Sequence, residues 1–493
     1  MKSIDLALQR IASIQAALTA RAGSTSLARR AFVRAVGCAS LLGFASLLPA
    51  GQLHAQANLG VKADSVAQSI VSASTKKQPK EKWVATWSAS TTAFGVGSPV
   101  AQPDLQYPLP TATTDGVVDQ TIRMVIKPDL WGDTMRFRFS NVFGDRPVTL
   151  SRVTVALQSY AGNAGEDTLT RVTFNRQNSV TIPKGQEVWS DAVELDWVDD
   201  ADDFAVVGGN LLVSVAVQGK SGAISWHGKA VTTNYLTPQG SGDHTFDKDD
   251  SAYPYTSTSW YFLNAVDVMA ASNTVVVCAF GDSITDGTAS TINGNDRWAN
   301  DLSRRLHKAY GNQVSVVNQG IGGNTVNRPG QASESAVQRL DRDVLGLSGL
   351  THVVWLEGIN DVPAVTPDVV IAGYQNVVTR LHAAGVKVVG ATVTSALNPT
   401  LTDPAAIASN KLKDDYRKAL NVFIRGSGIY DSVADMDAAT LNPATGAMQP
   451  PFLPPSSIGG TVLDWLHPNR AGYQAMANTV DLRIFAPGSK KSQ

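Results

Sequence analysis

The pattern of hydrophobic and polar positions changes its character once along the chain, between residues 268 and 274. Before that point, apolar and polar residues alternate over short stretches, as in residues 134–139, and turn-forming residues separate the stretches. Alternation with a period of two predicts half-buried β-strands. Further strands are predicted at residues 147–157, 171–182, 209–217 and 223–236. Because no clear helical segment interrupts them, we predict an all-β, sandwich-like accessory domain over residues 83–268.

From residue 274 onward, short apolar runs alternate with longer segments of helical periodicity. The segment 296–310, for example, places Trp298, Leu302, Leu306 and Ala309 on one helical face. Strands are also predicted at 275–280, 314–317, 352–356, 386–390 and 429–433, and helices at 366–385, 404–425 and 471–485. Repeated strand–helix units predict an α/β domain, a three-layer αβα parallel sheet over residues 274–487.

The first strand of this second region runs into the heptapeptide Gly-Asp-Ser-Ile-Thr-Asp-Gly at residues 281–287. A tight turn after a buried strand places Ser283 beyond the carboxyl end of the sheet, where open α/β sheets bind ligands. Ser283 is therefore a candidate nucleophile, although serine in such a turn also serves simply as a turn or helix-cap residue. No G-x-S-x-G sequence surrounds Ser283, which argues against the α/β-hydrolase fold.

A serine nucleophile needs a base and a third group that orients the base. Of the seven histidines, His467 alone has a local orienter, Asp464, three residues earlier. Residues at this spacing can share a face of one helical turn or converge in a tight loop. An Asp-x-x-His sequence taken alone is also compatible with a simple surface pair.

Acyl transfer further requires hydrogen-bond donors for the developing oxyanion. Two segments that follow predicted strands offer them, Asn-Gln-Gly-Ile-Gly-Gly-Asn at 318–324 and Gly-Ile-Asn-Asp at 358–361. The alternatives are a dinucleotide-binding loop or plain turn for the first segment and a β-turn for the second. The glycines of the first segment do not follow the G-x-G-x-x-G spacing, which weighs against nucleotide binding.

Taken in order, these four segments resemble the conserved blocks of the GDSL family of serine esterases, also called SGNH hydrolases. The resemblance implies a flavodoxin-like catalytic domain in which Ser283 is the nucleophile, His467 the general base and Asp464 its orienter. It also implies three oxyanion donors: the Ser283 N–H, the Gly323 N–H and the Asn360 side-chain amide.

The assignment of Gly323 rather than Gly320 depends on aligning Asn318 and the Gly-Asn-Thr that follows. One departure from the family pattern is Leu463, where relatives often have glycine. Upstream segments such as Trp83-Val84-Ala85-Thr86-Trp87 and Trp226-His227-Gly228 resemble a two-domain bacterial subgroup with a β-rich domain before the GDSL domain. The resemblance thus covers residues 83–487.

The N-terminal residues 1–57 are typical of an export signal. Arg29 and Arg30 precede the apolar run 35–48, and Ala55-Gln56-Ala57 forms a small-x-small cleavage site. The paired arginines resemble a twin-arginine signal, and a general secretory signal is the alternative. We predict a secreted or periplasmic protein without a stable membrane span after cleavage, and a polar, flexible lead-in over residues 58–82.

Composition narrows the range of partners. The net charge of −1 gives no basis for nucleic-acid binding. Signal cleavage would remove Cys38 and leave Cys278, a predicted buried thiol, so no intrachain disulfide is expected. His227 and His244 lack metal-ligand spacing, so we expect no metal, and the proposed chemistry needs no cofactor. The sequence does not indicate the oligomeric state.

Residues 83–268 contain seven of the ten tryptophans, which are either a platform for sugar rings or packing anchors. The segment 442–460, rich in Pro, Gly and Ser, is expected to line the pocket, with a linker as the alternative.

The sequence predicts a carboxylic-ester hydrolase acting on a small-molecule or saccharide ester. Acetyl esters of carbohydrates and longer lipid or aryl esters remain alternatives. A carbohydrate-binding protein with an inactive hydrolase domain is the alternative from another class.

Overall fold

The structure, a computed structural model, describes residues 80–95, 109, 114–198, 208–328, 333–454 and 464–488. The predicted export signal, the predicted lead-in up to residue 79, Leu463 and the end of segment 442–460 lie outside these residues. All of the described residues belong to one compact unit, Pro79–Gln493. The two predicted domains therefore pack within this unit, and the boundary between them stays a prediction.

The first region consists of antiparallel β-sheets, in agreement with the predicted all-β domain. Its strands are β1 (Glu81–Ser88), β2 (Thr92–Ala93), β3 (Val118–Ile126), β4 (Thr134–Ser140), β5 (Val148–Tyr160), β6 (Asn163–Ala164), β7 (Thr170–Val172), β8 (Val180–Ile182), β9 (Glu187–Trp189), β10 (Val193–Glu194), β11 (Leu211–Lys220), β12 (Ser225–His227), β13 (Asn234–Leu236), β14 (Tyr255–Ser257), β15 (Trp260–Tyr261) and β16 (Leu263–Ala271).

Three sheets are formed by the described strands of this region. The largest has the order β14-β13-β3-β11-β5-β6, with β7 and β8 also paired to β5. A second has the order β1-β16-β4-β10, with β9 paired to β4, and a small third sheet has the order β15-β12-β2. Since β1 pairs with β16, the first and last strands of the region are neighbours, and β16 leads directly into the α/β region.

The second region is a five-stranded parallel sheet, which confirms the predicted α/β fold class. Its strands are β17 (Val275–Gly281), β18 (Val314–Gly320), β19 (Leu350–Leu356), β20 (Lys387–Ala391) and β21 (Ser432–Ala434). Their spatial order is β18-β17-β19-β20-β21, and every pairing is parallel. Numbered by position in the chain, this is the flavodoxin-like order 2-1-3-4-5.

Helical segments connect the parallel strands. The α-helices are α1 (Ser283–Asp286), α2 (Trp298–Tyr310), α3 (Ala336–Arg339), α4 (Pro367–Ala383), α5 (Pro404–Gly426), α6 (Met436–Thr440) and α7 (Arg470–Asn478). Shorter helical turns cover Gly311–Gln313, Leu340–Leu345, Pro450–Phe452 and Leu482–Phe485.

Some predicted elements differ from the observed ones. The predicted strand 171–182 is divided into β7 and β8 because Asn175 and Arg176 adopt positive φ angles of 48° and 64°. Asp191 stabilises this turn by accepting hydrogen bonds from the Asn175 N–H at 3.0 Å and the Arg176 N–H at 2.7 Å.

Two other predicted segments are also interrupted. The predicted strand 223–236 forms β12 and β13, and the predicted helix 471–485 forms α7 and a separate short turn. In α2, Trp298, Leu302 and Leu306 are buried as expected, whereas Ala309 is exposed.

The β region covers the edge of the parallel sheet formed by β18. Ser315 on β18 donates through Oγ to the Ala85 carbonyl at 2.7 Å, and Ser88 donates to the Asn318 carbonyl at 3.2 Å. The carboxylate of Asp129 accepts a hydrogen bond from the Val316 N–H at 2.6 Å. Edge strands expose unpaired backbone groups, and these contacts satisfy some of them from the β region. One hydrophobic core cluster contains residues from both regions.

The tryptophans of residues 83–268 do not form an exposed platform. Trp87, Trp131, Trp226 and Trp260 are buried, and the other three are only partly accessible. This burial agrees with a packing role.

Cys278 is also fully buried on β17, which raises the pKa of its thiol. Within the described ranges, no helix has the length and apolar character that a bilayer span requires.

Candidate active site

Ser283 lies at the carboxyl end of β17, where the chain turns directly into α1. The Asp282 side chain caps this short helix by accepting a hydrogen bond from the Ile284 N–H at 2.9 Å. Gly281 is required before it, because a Cβ at this position would lie 2.0 Å from the Leu356 carbonyl oxygen on β19. The turn thus packs closely against the neighbouring strand, and Ser283 is 5% exposed.

His467 and Asp464 converge in a tight loop that precedes α7. One carboxylate oxygen of Asp464 accepts hydrogen bonds from the Leu466 N–H at 2.8 Å and the His467 N–H at 3.0 Å. The other lies 2.7 Å from the Nδ1 of His467. After this loop, Asn469 caps α7 by accepting from the Ala471 and Gly472 N–H groups. Of the two geometries compatible with the sequence, the loop is therefore the one observed.

The electrostatics of Asp464 favour its ionised form. Burial by itself would raise the pKa of this carboxyl group, but the hydrogen bond and charge interaction with His467 and the two backbone donors outweigh it. They lower the pKa of Asp464 to about 2. Asp464 is therefore a carboxylate throughout the neutral pH range.

A continuous chain of hydrogen bonds joins Ser283, His467 and Asp464. The Ser283 Oγ lies 2.8 Å from the His467 Nε2, although the two residues are 184 positions apart. Because the Nδ1 of His467 faces a carboxylate, this nitrogen carries the proton. The Nε2 is then free to accept the hydroxyl proton of Ser283.

Three glycines lie at the end of β18 and in the loop that follows, among them Gly323, which the resemblance assigns as an oxyanion donor, and Gly320, its alternative. The Gly320 N–H donates to the Asn318 side chain at 2.8 Å, and the Gly322 N–H donates to Asp286 at 3.0 Å. Gly323, by contrast, is exposed with φ +76°, and no described residue accepts a hydrogen bond from its N–H. Of these three glycines, only Gly323 thus has an N–H available for a ligand.

Asn360 follows β19 and lies beside this loop. Its side-chain amide donates to the Asn324 carbonyl at 2.9 Å. The next residue, Asp361, accepts from the Val326 N–H at 2.9 Å and the Asn327 N–H at 3.2 Å. The segments after β18 and β19 are thereby held together. Among the described contacts, no hydrogen bond joins Asn360 to Ser283 or His467 directly.

Several polar side chains behind the site were not identified from the sequence. Arg339 on α3 is completely buried and donates to the carbonyls of Gly281 at 2.9 Å and Gln319 at 2.8 Å. Asp286 and His227 form a second buried contact. Short motifs do not indicate these roles, because each side chain acts on residues far away in the sequence.

The described part of segment 442–460 packs near the loop that carries Asp464 and His467. The Asn469 N–H donates to the Phe452 carbonyl at 2.7 Å, and the Asn469 side chain donates to the Pro451 carbonyl at 3.0 Å.

A cavity of about 410 Å³ lies away from this segment, beside His227, Asp286 and Asn318. Across the described ranges, no group of three or more His, Cys, Asp or Glu side chains is arranged to hold a metal ion.

Comparison with solved structures finds many chains that resemble part of this one. A lipase/acylhydrolase from Enterococcus faecalis is 22% identical, with 44% of this chain and 100% of that chain covered at a TM-score of 0.31. A carbohydrate acetylesterase from Sinorhizobium meliloti is 16% identical, with 43% and 98% covered at 0.32. The M. smegmatis aryl esterase is 16% identical, with 43% and 100% covered at 0.32.

Among curated proteins, no significant match is found. Comparison with protein families, however, matches residues 279–475 to the GDSL-like Lipase/Acylhydrolase family. This range includes the turn at Ser283, the loops at Gly323 and Asn360, and the Asp464–His467 loop. Residues 279–475 of this chain therefore form a GDSL-like lipase/acylhydrolase domain, which supports a carboxylic ester hydrolase.

Proposed function

We propose that this protein hydrolyses carboxylic esters through a Ser283–His467–Asp464 triad and a covalent acyl-enzyme. The observation that carries the proposal is the continuous hydrogen-bond chain, with 2.8 Å between Ser283 Oγ and His467 Nε2 and 2.7 Å between His467 Nδ1 and Asp464. These distances lie within the range required for proton transfer between a nucleophile and its base.

In the first half of the reaction, the Ser283 Oγ attacks the ester carbonyl carbon while the His467 Nε2 takes the hydroxyl proton. The resulting imidazolium is stabilised by the Asp464 carboxylate, which remains ionised because its pKa is lowered to about 2. The tetrahedral intermediate collapses when His467 returns the proton to the leaving alcohol. The acyl group is then bonded to Ser283.

In the second half, water replaces the alcohol. His467 takes a proton from the water molecule, whose oxygen attacks the acyl carbonyl, and the proton then returns to the Ser283 Oγ as the acid leaves. Each half-reaction places negative charge on the former carbonyl oxygen.

We assign the stabilisation of that oxygen to the N–H groups of Ser283 and Gly323 and to the Asn360 side-chain amide. The assignment of Gly323 is supported by the hydrogen bonds that already engage the Gly320 and Gly322 N–H groups. The Asn360 amide uses one N–H for the Asn324 carbonyl and retains a second for a substrate.

The decisive experiment compares Ser283→Ala with the wild type on p-nitrophenyl acetate and with a fluorophosphonate that labels active-site serines. We expect loss of both hydrolysis and labelling in this variant. Ser290→Ala is the matched control, because Ser290 lies in the same segment and its hydroxyl, among the described contacts, donates to the Gly287 carbonyl at 2.6 Å and to no residue of the triad. Asp464→Asn should lower kcat by about 10²–10⁴ because it disturbs the histidine tautomer.

Equal activity of Ser283→Ala and wild type would remove Ser283 from the mechanism. An unlabelled, inactive wild type would instead favour a binding protein with an inactive hydrolase domain.

We also propose that the preferred substrates are short-acyl esters, foremost acetyl esters, including those of carbohydrates, and that the protein acts after export. Support comes from the export-signal pattern of residues 1–57 and from the accessory β region. A series of p-nitrophenyl esters of increasing acyl length, run beside acetylated sugars, tests this preference. Undiminished kcat/KM on butyrate and longer esters would favour a lipolytic or aryl esterase.

A further inference from the structure

The end of α1 lies beside a short segment of the β region that contains His227 and Lys229. His227 Nε2 lies 3.1 Å from Asp286 Oδ1 at the end of α1, and Lys229 donates to Thr288 just beyond it. Arg297, which precedes α2, donates to the carbonyls of Ala230 and, at 2.6 Å, Asp286. His227, Lys229, Asp286, Thr288 and Arg297 are all buried. The helix that begins with Ser283 is therefore fixed at its other end by the β region.

The Asp286 carboxylate has a second partner in the loop that carries Gly323. Its Oδ1 contacts His227, whereas its Oδ2 accepts a hydrogen bond from the Gly322 N–H at 3.0 Å. Gly322 directly precedes Gly323, the proposed oxyanion donor. The orientation of the Gly322 peptide therefore affects the direction of the next N–H in the chain.

His227 is held in a single orientation. Its Nδ1 lies 2.8 Å from the Ser90 carbonyl, and its Nε2 lies 3.2 Å from the Lys229 carbonyl as well as near Asp286. All three partners are oxygen atoms, which a ring N–H can contact as a donor, so these contacts fix the orientation of the ring. The hydrogen bond between His227 and Asp286, which is 3% exposed, in turn fixes the carboxylate.

We propose that Asp286 is a positioning residue for the oxyanion loop and that His227 of the β region orients its carboxylate. The β region thereby supplies part of the catalytic geometry. This inference rests on the proposed esterase function. Its role differs from that of the triad, because neither residue contacts the reacting atoms.

Replacement of Asp286 by alanine leaves the buried Gly322 N–H without its acceptor, so the loop can turn away. Complete loss of one oxyanion donor costs about 10²–10³ in kcat, and we expect Asp286→Ala to lower kcat by about 10–10². Binding of the substrate ground state does not use this donor, so KM should change by less than about threefold. Asp286→Asn retains an acceptor oxygen and should recover most of kcat.

The experiment uses the full chain and p-nitrophenyl acetate. It compares Asp286→Ala, Asp286→Asn and His227→Gln, with kcat expressed per fluorophosphonate-titrated site and with each melting temperature recorded. His382→Gln is the control, because His382 also pairs with an aspartate, Asp431, at 2.9 Å, but lies at the amino-end side of the sheet just before β20. We expect His227→Gln to lower kcat per site by about tenfold and His382→Gln to leave it unchanged.

A purely structural role would lower the melting temperature and the number of titrated sites but leave kcat per site unchanged. That result in either Asp286→Ala or His227→Gln would overturn the inference while the esterase assignment stands. If Asp286→Ala does not fold, His227→Gln and Asp286→Asn still decide the question, because both retain a polar side chain. A wild type that hydrolyses no ester would remove the proposed function as well. This outcome is measured first, before any variant is made.

Discussion

Two buried carboxyl groups, those of Asp282 and Glu357, lie at the ends of β17 and β19, beside the turn at Ser283. Burial raises the pKa of Asp282 to about 7 and that of Glu357 to about 8. Asp282 has the Ile284 N–H as a donor, and Glu357 accepts from the Trp355 indole at 2.9 Å. No described residue forms a hydrogen bond with the second side-chain oxygen of Glu357. Below about pH 7, both groups therefore favour the neutral, protonated form in the folded protein.

The raised pKa values have a definite consequence for stability. In the unfolded chain the two pKa values return to about 3.8 and 4.5, so well below pH 3.8 both groups are protonated in both states and do not lower the stability. As the pH rises from about 4 to 8, the unfolded chain loses these protons first. The free energy of unfolding should therefore fall across this interval.

Glu357→Gln tests this effect, because glutamine resembles the protonated acid and keeps an acceptor for Trp355. We expect the variant and the wild type to be equally stable at pH 4.5. At pH 8 the variant should be more stable, by up to about 4 kcal/mol, since each pKa unit corresponds to about 1.4 kcal/mol. Urea unfolding at a series of pH values measures the difference. Glu166→Gln, at an exposed position, is the control, and equal pH slopes for Glu357→Gln and wild type would contradict the prediction.

At the scale of elements, the four-residue helix α3 holds the ends of two parallel strands. Its last residue, Arg339, donates to the carbonyls of Gly281 on β17 and Gln319 on β18. It also donates to the Asn324 side chain at 2.8 Å and to Ser90 of the β region at 2.9 Å. One planar guanidinium thus joins the turn at Ser283, the loop at Gly323 and the β region.

Arg339→Met should destabilise the protein by about 3–5 kcal/mol, because several buried acceptors and the partly paired Asp343 lose their donor. Arg339→Lys should restore little of this, since an ammonium group cannot match the fork geometry. Denaturant unfolding measures both variants. The control is Arg483→Met, whose side chain is 89% exposed in its pair with Asp481 and should cost less than about 1 kcal/mol. A similar small cost for Arg339→Met would refute the role.

Periodicity predicted the elements that carry the candidate site. Strand β17 is a β-branched run that stops at Gly281, and helix α4 begins after Thr366 with Pro367, as expected from the sequence. Both features can be recognised from a few consecutive residues. A buried parallel strand is apolar throughout, and proline fits the first turn of a helix.

Contacts between distant segments could not be predicted in the same way. His227 and Asp286 are 59 positions apart, and Ser90 and Arg339 are 249 apart. Neither pair has a characteristic spacing. The division of 171–182 into two strands was also missed, although the polar run Asn175-Arg176-Gln177-Asn178 was a signal for a turn.

At the scale of the whole molecule, the β region and the parallel sheet share one core. Asp129 is a key polar contact between them, since its carboxylate accepts from the Val316 N–H on β18 and from His307 on α2 at 2.9 Å. Its own N–H donates to the Thr86 carbonyl on β1 at 2.8 Å. These bonds link both regions, so we expect the regions to unfold together.

Cooperative unfolding can be followed with two signals that report on different regions. Tryptophan fluorescence reports mainly on the β region, which has seven of the ten tryptophans, whereas ester hydrolysis reports on the site after β17. We expect both signals to be lost at the same urea concentration in the wild type, because separate transitions would require exposure of the shared core.

Asp129→Ala leaves the Val316 N–H without its acceptor and should lower both midpoints by the same amount, with a cost of about 1–3 kcal/mol. Asp403→Ala, which removes only the exposed cap of α5, should shift neither midpoint as far. Loss of activity well before the fluorescence change, widened further by Asp129→Ala, would show instead that the parallel sheet unfolds independently of the β region.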